Sequence, residues 1–170
     1  SAFRYPRGTD TLTGQFEELN EIDIGKGYFV QEGNEIAILN LGTRLNECIE
    51  ACKILKQSDI HPTLVDARFA KPIDTEIVDK ILDNHKYLIT IEEGSIGGFA
   101  SHVMNYINNV RVKKTKTIIK NIFFPDKFIE HMKPEEQYEE IKMNVSSIVG
   151  RIRELLDDRI ININEFNHKR

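Results

Sequence analysis

The residues best able to do chemistry gather in one short run, where Glu92 and Glu93 stand directly before Gly94, Ser95, Ile96, Gly97 and Gly98. Paired carboxylates suggest acid/base work, and a glycine run opening a helix suggests an anion cradled by backbone N–H groups. Both readings meet a physical objection. Neighbours in a strand point to opposite faces, so one glutamate is expected to turn toward the glycine loop and its amides while the other turns away. The glycine spacing departs from the dinucleotide fingerprint and from the P-loop, and adjacent carboxylates repel a phosphate. Hydrogen bonding of a tight turn and of the next helix start is therefore the favoured reading, with anion binding at 94–98 left open.

The remaining candidates are sparser. Asp66 and Arg68 stand at a strand end and are expected to form a local ion pair worth little, or to reach across an interface. His131 is expected to be exposed or capping. Cys48 and Cys52, four apart in a helix, share a face and read as two small core residues in a reducing compartment. The five histidines are scattered, and no further cysteine stands at zinc-ligand spacing. Serine nucleophile elbows, HExxH, EF-hand loops and metal-spaced carboxylates are absent from the sequence. Nothing here makes a self-contained active site, catalytic or metal-binding.

The elements that position these residues follow from periodicity. Apolar alternation predicts strands at 27–31, Ile36–Leu41, Thr63–Asp66, Tyr87–Glu92 and 117–123. Between them, apolar positions three and four apart predict helices at 45–55, with Thr43 as cap, and at 74–82 and 98–107. The four-residue connection 32–35 is short enough for a hairpin, so the first two strands are expected to be antiparallel. Strands alternating with helices otherwise give parallel pairing through right-handed crossovers. The expected fold is a three-layer α/β/α domain with a five-stranded mixed sheet, the first strand antiparallel to the rest. Ligands in such folds favour the loops at the carboxyl ends of the parallel strands, which here are 40–43, 66–72, 92–98 and 121–126. Past Pro125, a short helix at 127–131 and a longer helical region at 134–156 are predicted, the latter opened by Pro134, Glu135 and Glu136.

Composition sets the bounds. With 170 residues, 40% hydrophobic and 29% charged, the chain suits one soluble globular domain. A net charge of -4 and a pI near 5.8 argue against a nucleic-acid partner. No apolar run reaches the length of a membrane span, and no leader pattern precedes the domain. The opening Ser1-Ala2-Phe3, without an initiator Met, reads as a cut from a longer protein. On this reading 1–24 is the end of a preceding domain plus linker, 25–156 the α/β domain and 157–170 a loosely packed tail.

Several segments in order resemble one family. They are Arg4-Tyr5-Pro6-Arg7-Gly8, Ile24-Gly25-Lys26-Gly27, Leu41-Gly42-Thr43, Val65-Asp66-Ala67-Arg68-Phe69-Ala70-Lys71-Pro72-Ile73-Asp74, Glu92-Glu93-Gly94-Ser95-Ile96-Gly97-Gly98-Phe99 and Pro125-Asp126-Lys127-Phe128-Ile129-Glu130-His131. The set is similar to the carboxy-terminal domain of the 1-deoxy-D-xylulose-5-phosphate synthases, up to about Leu156. The resemblance implies a transketolase C-terminal-like fold within a thiamine diphosphate- and magnesium-dependent transferase. That enzyme condenses pyruvate with D-glyceraldehyde 3-phosphate, releases carbon dioxide and feeds isoprenoid, thiamine and pyridoxal synthesis. The family's Gly-Asp-Gly magnesium motif and activating glutamate lie in two earlier domains, so this chain alone is expected to bind no cofactor and to be inactive.

By the same resemblance, Arg7 contacts the acceptor's phosphate, a role that suits a guanidinium giving two parallel charge-assisted hydrogen bonds. The implied partners are the enzyme's own amino-terminal and pyrimidine-binding domains and a homodimer mate. The implied compartment is bacterial cytoplasm or the stroma of a plastid-type organelle. The alternatives are the equivalent domain of a 2-oxo acid dehydrogenase E1 beta subunit or of transketolase, and a non-enzymatic anion-binding assembly module.

Overall fold

The computed structural model describes residues 21–167, with side chains to Asp157. Five strands form one sheet: β1 (Tyr28–Gln31), β2 (Ile36–Leu41), β3 (Thr63–Asp66), β4 (Tyr87–Glu92) and β5 (Ile118–Ile122). Their spatial order is β1-β3-β2-β4-β5, with β1 antiparallel to β3 and every other pair parallel. Five α-helices accompany them: α1 (Leu45–Lys56), α2 (Thr75–Asn84), α3 (Phe99–Asn105), α4 (Pro134–Glu140) and α5 (Val145–Asn167).

Alternation along the strands sorts the core into two halves. Ile36, Ile38, Leu64, Tyr87, Ile89 and Ile91 face α1 and α5, where they meet Cys48, Cys52, Leu55, Ile148 and Ile152. Ala37, Leu39, Val65 and Leu88 face the other way, onto Val78, Ile81 and Leu82 of α2 and Phe99 and Val103 of α3. Helices on both faces explain why β2 and β4 read as continuous apolar runs rather than as alternating strands. Each fully buried Ile or Leu contributes roughly 1.5–3 kcal/mol. Both cysteines lie in the first half of the core; burial pushes the Cys48 thiol far up and the Cys52 thiol up to about 11.

The hairpin expectation is corrected. β1 does run against the other strands, but β3 lies between it and β2. The connection 32–35 strides over the start of β3: Gly33 N–H donates to Thr63 Oγ1 (2.9 Å) and Asn34 N–H donates to the His61 carbonyl (2.9 Å). A short loop allows a hairpin but does not require one, and the buried apolar β3 fits the slot between β1 and β2 on both faces.

Three helix expectations also change. Residues 127–131 form no helix, and Phe128 is fully exposed; so short a segment nucleates helix poorly without an apolar face to pack. The region 134–156 breaks into α4 and α5 at Lys142, whose φ is +59°, and α5 runs on to Asn167. Asn144 Oδ1 then caps α5 by accepting from Ser147 N–H (3.0 Å), and the turn buries Ile141 and Met143. At α3, the expected helix passes into a π-helical turn, Tyr106–Val110, which brings Tyr106 and Arg111 onto Asp79 of α2 at 2.9 and 2.6 Å.

Candidate functional site

Glu92 ends β4 facing the α2/α3 side and is buried. Its carboxylate accepts from Phe99 N–H (2.7 Å) and Ala100 N–H (2.8 Å), so it fills the position at the start of α3 that an anion would take. Two of the three loop glycines leave room for this carboxylate. A Cβ on Gly94 or Gly98 would lie 2.5 or 2.3 Å from Glu92 Oε2. The structural-turn reading of the sequence holds, and Glu92 is the glutamate turned toward the amides.

Glu93 points to the opposite face, as the pleat requires. Its Oε1 accepts from the Tyr138 hydroxyl (2.7 Å) of α4, and Arg44 Nε approaches the same oxygen to 2.8 Å without the alignment of a hydrogen bond. Arg44, almost fully buried, also donates to Glu47 Oε1 (2.9 Å) and lays its guanidinium 3.5 Å over the Tyr138 ring. This cluster ties the end of β4 to α1 and α4. Nothing in residue spacing pairs position 44 with 93 and 138, so sequence reading missed Arg44, Glu47 and Tyr138. Thr43, expected to cap α1, does not: its Oγ1 is buried without a partner among the described residues, and Arg44 occupies the cap position with no side-chain cap bond.

Burial, then the bond to Glu93, pushes the Tyr138 hydroxyl up to about 12. A folded value above the unfolded one of about 10 means that the neutral phenol is favoured in the fold. This contribution is therefore complete below pH ~10 and lost as pH rises toward 12. Tyr138→Phe is expected to remove the tyrosinate absorbance component near pH 12 and to flatten the loss of stability over that window; an unchanged alkaline titration would show that another tyrosine carries it.

The other candidates are local. Asp66 Oδ1 accepts from Arg68 N–H (3.0 Å), while the Arg68 guanidinium sits 4.0 Å from Asp66 Oδ2 and 5.1 Å over the Tyr28 ring. Asp74 caps α2 through Glu76 and Ile77 N–H and, with its second oxygen, accepts from Gly27 N–H (3.0 Å). That bond interlocks the segments Ile24-Gly25-Lys26-Gly27 and Ala70-Lys71-Pro72-Ile73-Asp74. His131 is exposed. Arg7 lies outside the described residues. Among the described residues no group of three or more His, Cys, Asp or Glu is placed to hold a metal ion, and no helix is long and apolar enough to cross a membrane. A groove of about 320 Å³ opens between α3 and β5, lined by Ala100, Ser101, Met104, Asn121 and Phe123 and closed at one end by the glycine loop.

Comparison with known proteins agrees with this architecture. A split-gene transketolase, described as an inactive beta4 tetramer, superposes with a TM-score of 0.71 at 24% identity over 82% of this chain and 45% of that one. Transketolase from Campylobacter jejuni matches at 16% identity and TM-score 0.53, over 76% of this chain and 18% of that one. Transketolase mutants from Pichia stipitis, in complex with xylulose 5-phosphate, match at 15% identity and TM-score 0.55 over the same shares. The chain thus spans less than half the length of these solved relatives, and at such identities the likeness shows the fold. The family model for the transketolase C-terminal domain matches residues 25–148, most of the chain, so the protein belongs to the transketolase C-terminal domain family.

Proposed function

We propose that this chain is the carboxy-terminal module of a 1-deoxy-D-xylulose-5-phosphate synthase, in which it positions the substrate-binding end of a larger thiamine enzyme. The observation that carries the reading is the ordered motif set, above all Arg4-Tyr5-Pro6-Arg7-Gly8 and Pro125-Asp126-Lys127-Phe128-Ile129-Glu130-His131. The packing supports it. Motif residues far apart in the chain lock together, as Gly27 does with Asp74, so these two segments serve one scaffold.

Thiamine diphosphate and magnesium do not fit the described residues. The α3 amides are already taken by Glu92, whose charge opposes a diphosphate, and no carboxylate group converges for a divalent ion. The cofactor site is assigned to the earlier domains of the same polypeptide, with a homodimer mate, in bacterial cytoplasm or plastid-type stroma. What this chain supplies is orientation, and at Arg7 a guanidinium for the acceptor's phosphate. Transketolase, whose carboxy-terminal domain has the same fold, is the competing reading.

The test uses the full-length enzyme. Carbon dioxide release from pyruvate with D-glyceraldehyde 3-phosphate supports the proposal, and ketose transfer without pyruvate consumption sinks it. Arg7→Ala is expected to lower kcat/KM for the phosphorylated acceptor by roughly 10–150-fold, the worth of one charged hydrogen-bonded contact of about 1.5–3 kcal/mol. Unphosphorylated glyceraldehyde should be used equally well by both forms. Equal loss on both acceptors would remove Arg7 from the phosphate site.

A further inference from the structure

β5 is an edge strand, and among the described residues nothing pairs with its outer side. Ile118 N–H donates to the Lys86 carbonyl, so the alternation of a parallel ladder turns the N–H and C=O groups of Ile119 and Asn121 toward the open edge. Two different surfaces flank that edge. On the α3 side lies the groove of Ala100, Ser101, Met104, Asn121 and Phe123, with exposed Ile96 at its rim. On the α5 side of the strand, Ile118 and Lys120 stand exposed at alternate positions, and Lys114 and Lys116, in the extended stretch just before β5, are exposed as well.

Several features make this surface a built one. Residues 111–120 carry Arg111, Lys113, Lys114, Lys116 and Lys120 and no acid, in a chain whose net charge is -4. Lys114, Lys116 and Lys120 have no acidic partner among the described residues, whereas Lys113 pairs with Asp83. The row is held straight from behind: Thr117 Oγ1 lies 3.1 and 2.9 Å from the Leu82 and His85 carbonyls, and Thr115 Oγ1 bonds Thr117 Oγ1 (2.8 Å). At the far end, Phe124 N–H donates to the Gly94 carbonyl, fixing the strand against the glycine loop.

We propose that the β5 edge is a docking site for an extended segment of another polypeptide in which apolar and acidic residues alternate. Added as a sixth strand, such a segment completes the hydrogen bonds of Ile119 and Asn121. Because successive side chains point to opposite faces, its apolar residues enter the α3 groove while its carboxylates meet Lys116 and Lys120. Like residues of the segment repeat about every 6.6 Å, so acidic residues four positions apart match Lys116 and Lys120, which lie about 13 Å apart along an extended chain. Main-chain bonds give affinity here, and the two faces give specificity.

Binding of a fluorescein-labelled peptide alternating valine and glutamate to the 170-residue chain tests this. Saturable binding that falls with salt is expected, with Lys116→Glu/Lys120→Glu weakening it at least about tenfold and Ser101→Trp doing the same by filling the groove. The amide resonances of Ile119 and Asn121 should shift on titration, and a peptide N-methylated at every second residue should fail to bind. All of the substituted side chains are exposed, so thermal melts should match the parent. Equal binding of a valine-lysine peptide, binding that survives N-methylation, no binding at all, or displacement by single-stranded oligothymidylate would each overturn the proposal.

Discussion

Replacing Glu92 with alanine should destabilise the chain by about 3–5 kcal/mol, read from urea unfolding followed by circular dichroism. The side chain is buried and its two oxygens accept the first amides of α3. Hydrogen bonds to a charged acceptor contribute about 1.5–3 kcal/mol each, and deletion leaves both N–H groups buried without a partner. Glu92→Gln keeps the shape and one acceptor, so its loss should fall between the two. Gly98→Ala attacks the same contact from the other side, since its methyl would meet Glu92 Oε2 at 2.3 Å. In the double variant Glu92→Ala/Gly98→Ala the methyl enters vacated space, so the combined loss should be smaller than the sum. Strict additivity, or a parent-like midpoint for Glu92→Ala, would mean that the carboxylate does not hold the start of α3.

The second large effect is expected at Gly33, where alanine should cost about 3 kcal/mol or more. A Cβ there would lie 2.1 Å from the His61 carbonyl oxygen and 2.6 Å from the Pro62 carbonyl carbon. Both are backbone atoms, so no rotamer change relieves the clash, and the connection must lift away from β3. Lifting it breaks the Gly33–Thr63 and Asn34–His61 bonds and loosens the β1–β3 ladder. Hydrogen exchange should therefore rise first at the β1 and β3 amides, ahead of β4. Unchanged exchange at β1 would show that the crossing tolerates a side chain.

Much of this fold was legible because its signals are local. Apolar runs marked β2 and β4, and three-four spacing marked α1 through Cys48, Cys52 and Leu55. The opposed directions of Glu92 and Glu93 followed from the pleat alone. What misled was also local. A four-residue connection at 32–35 suggested a hairpin, Thr43 looked like a cap, and acids after Pro134 suggested one helix where Lys142 and Asn144 make two. In each case a long-range contact outweighed the local preference: β3 between β1 and β2, the Arg44 cluster at the end of β4, and burial of Met143 in the core.

The order of residues alone determined the strand-helix alternation, the split of the core between two sheet faces, and the ordered motifs of the transketolase C-terminal domain. Periodicity and turn chemistry act over a few residues and survive in a linear string. Tertiary structure alone decided that Arg44 and Tyr138 meet at Glu93 and that β5 is left as a lysine-lined edge. These arrangements join residues up to about ninety positions apart, and only the order of strands in the folded sheet brings them within bonding distance.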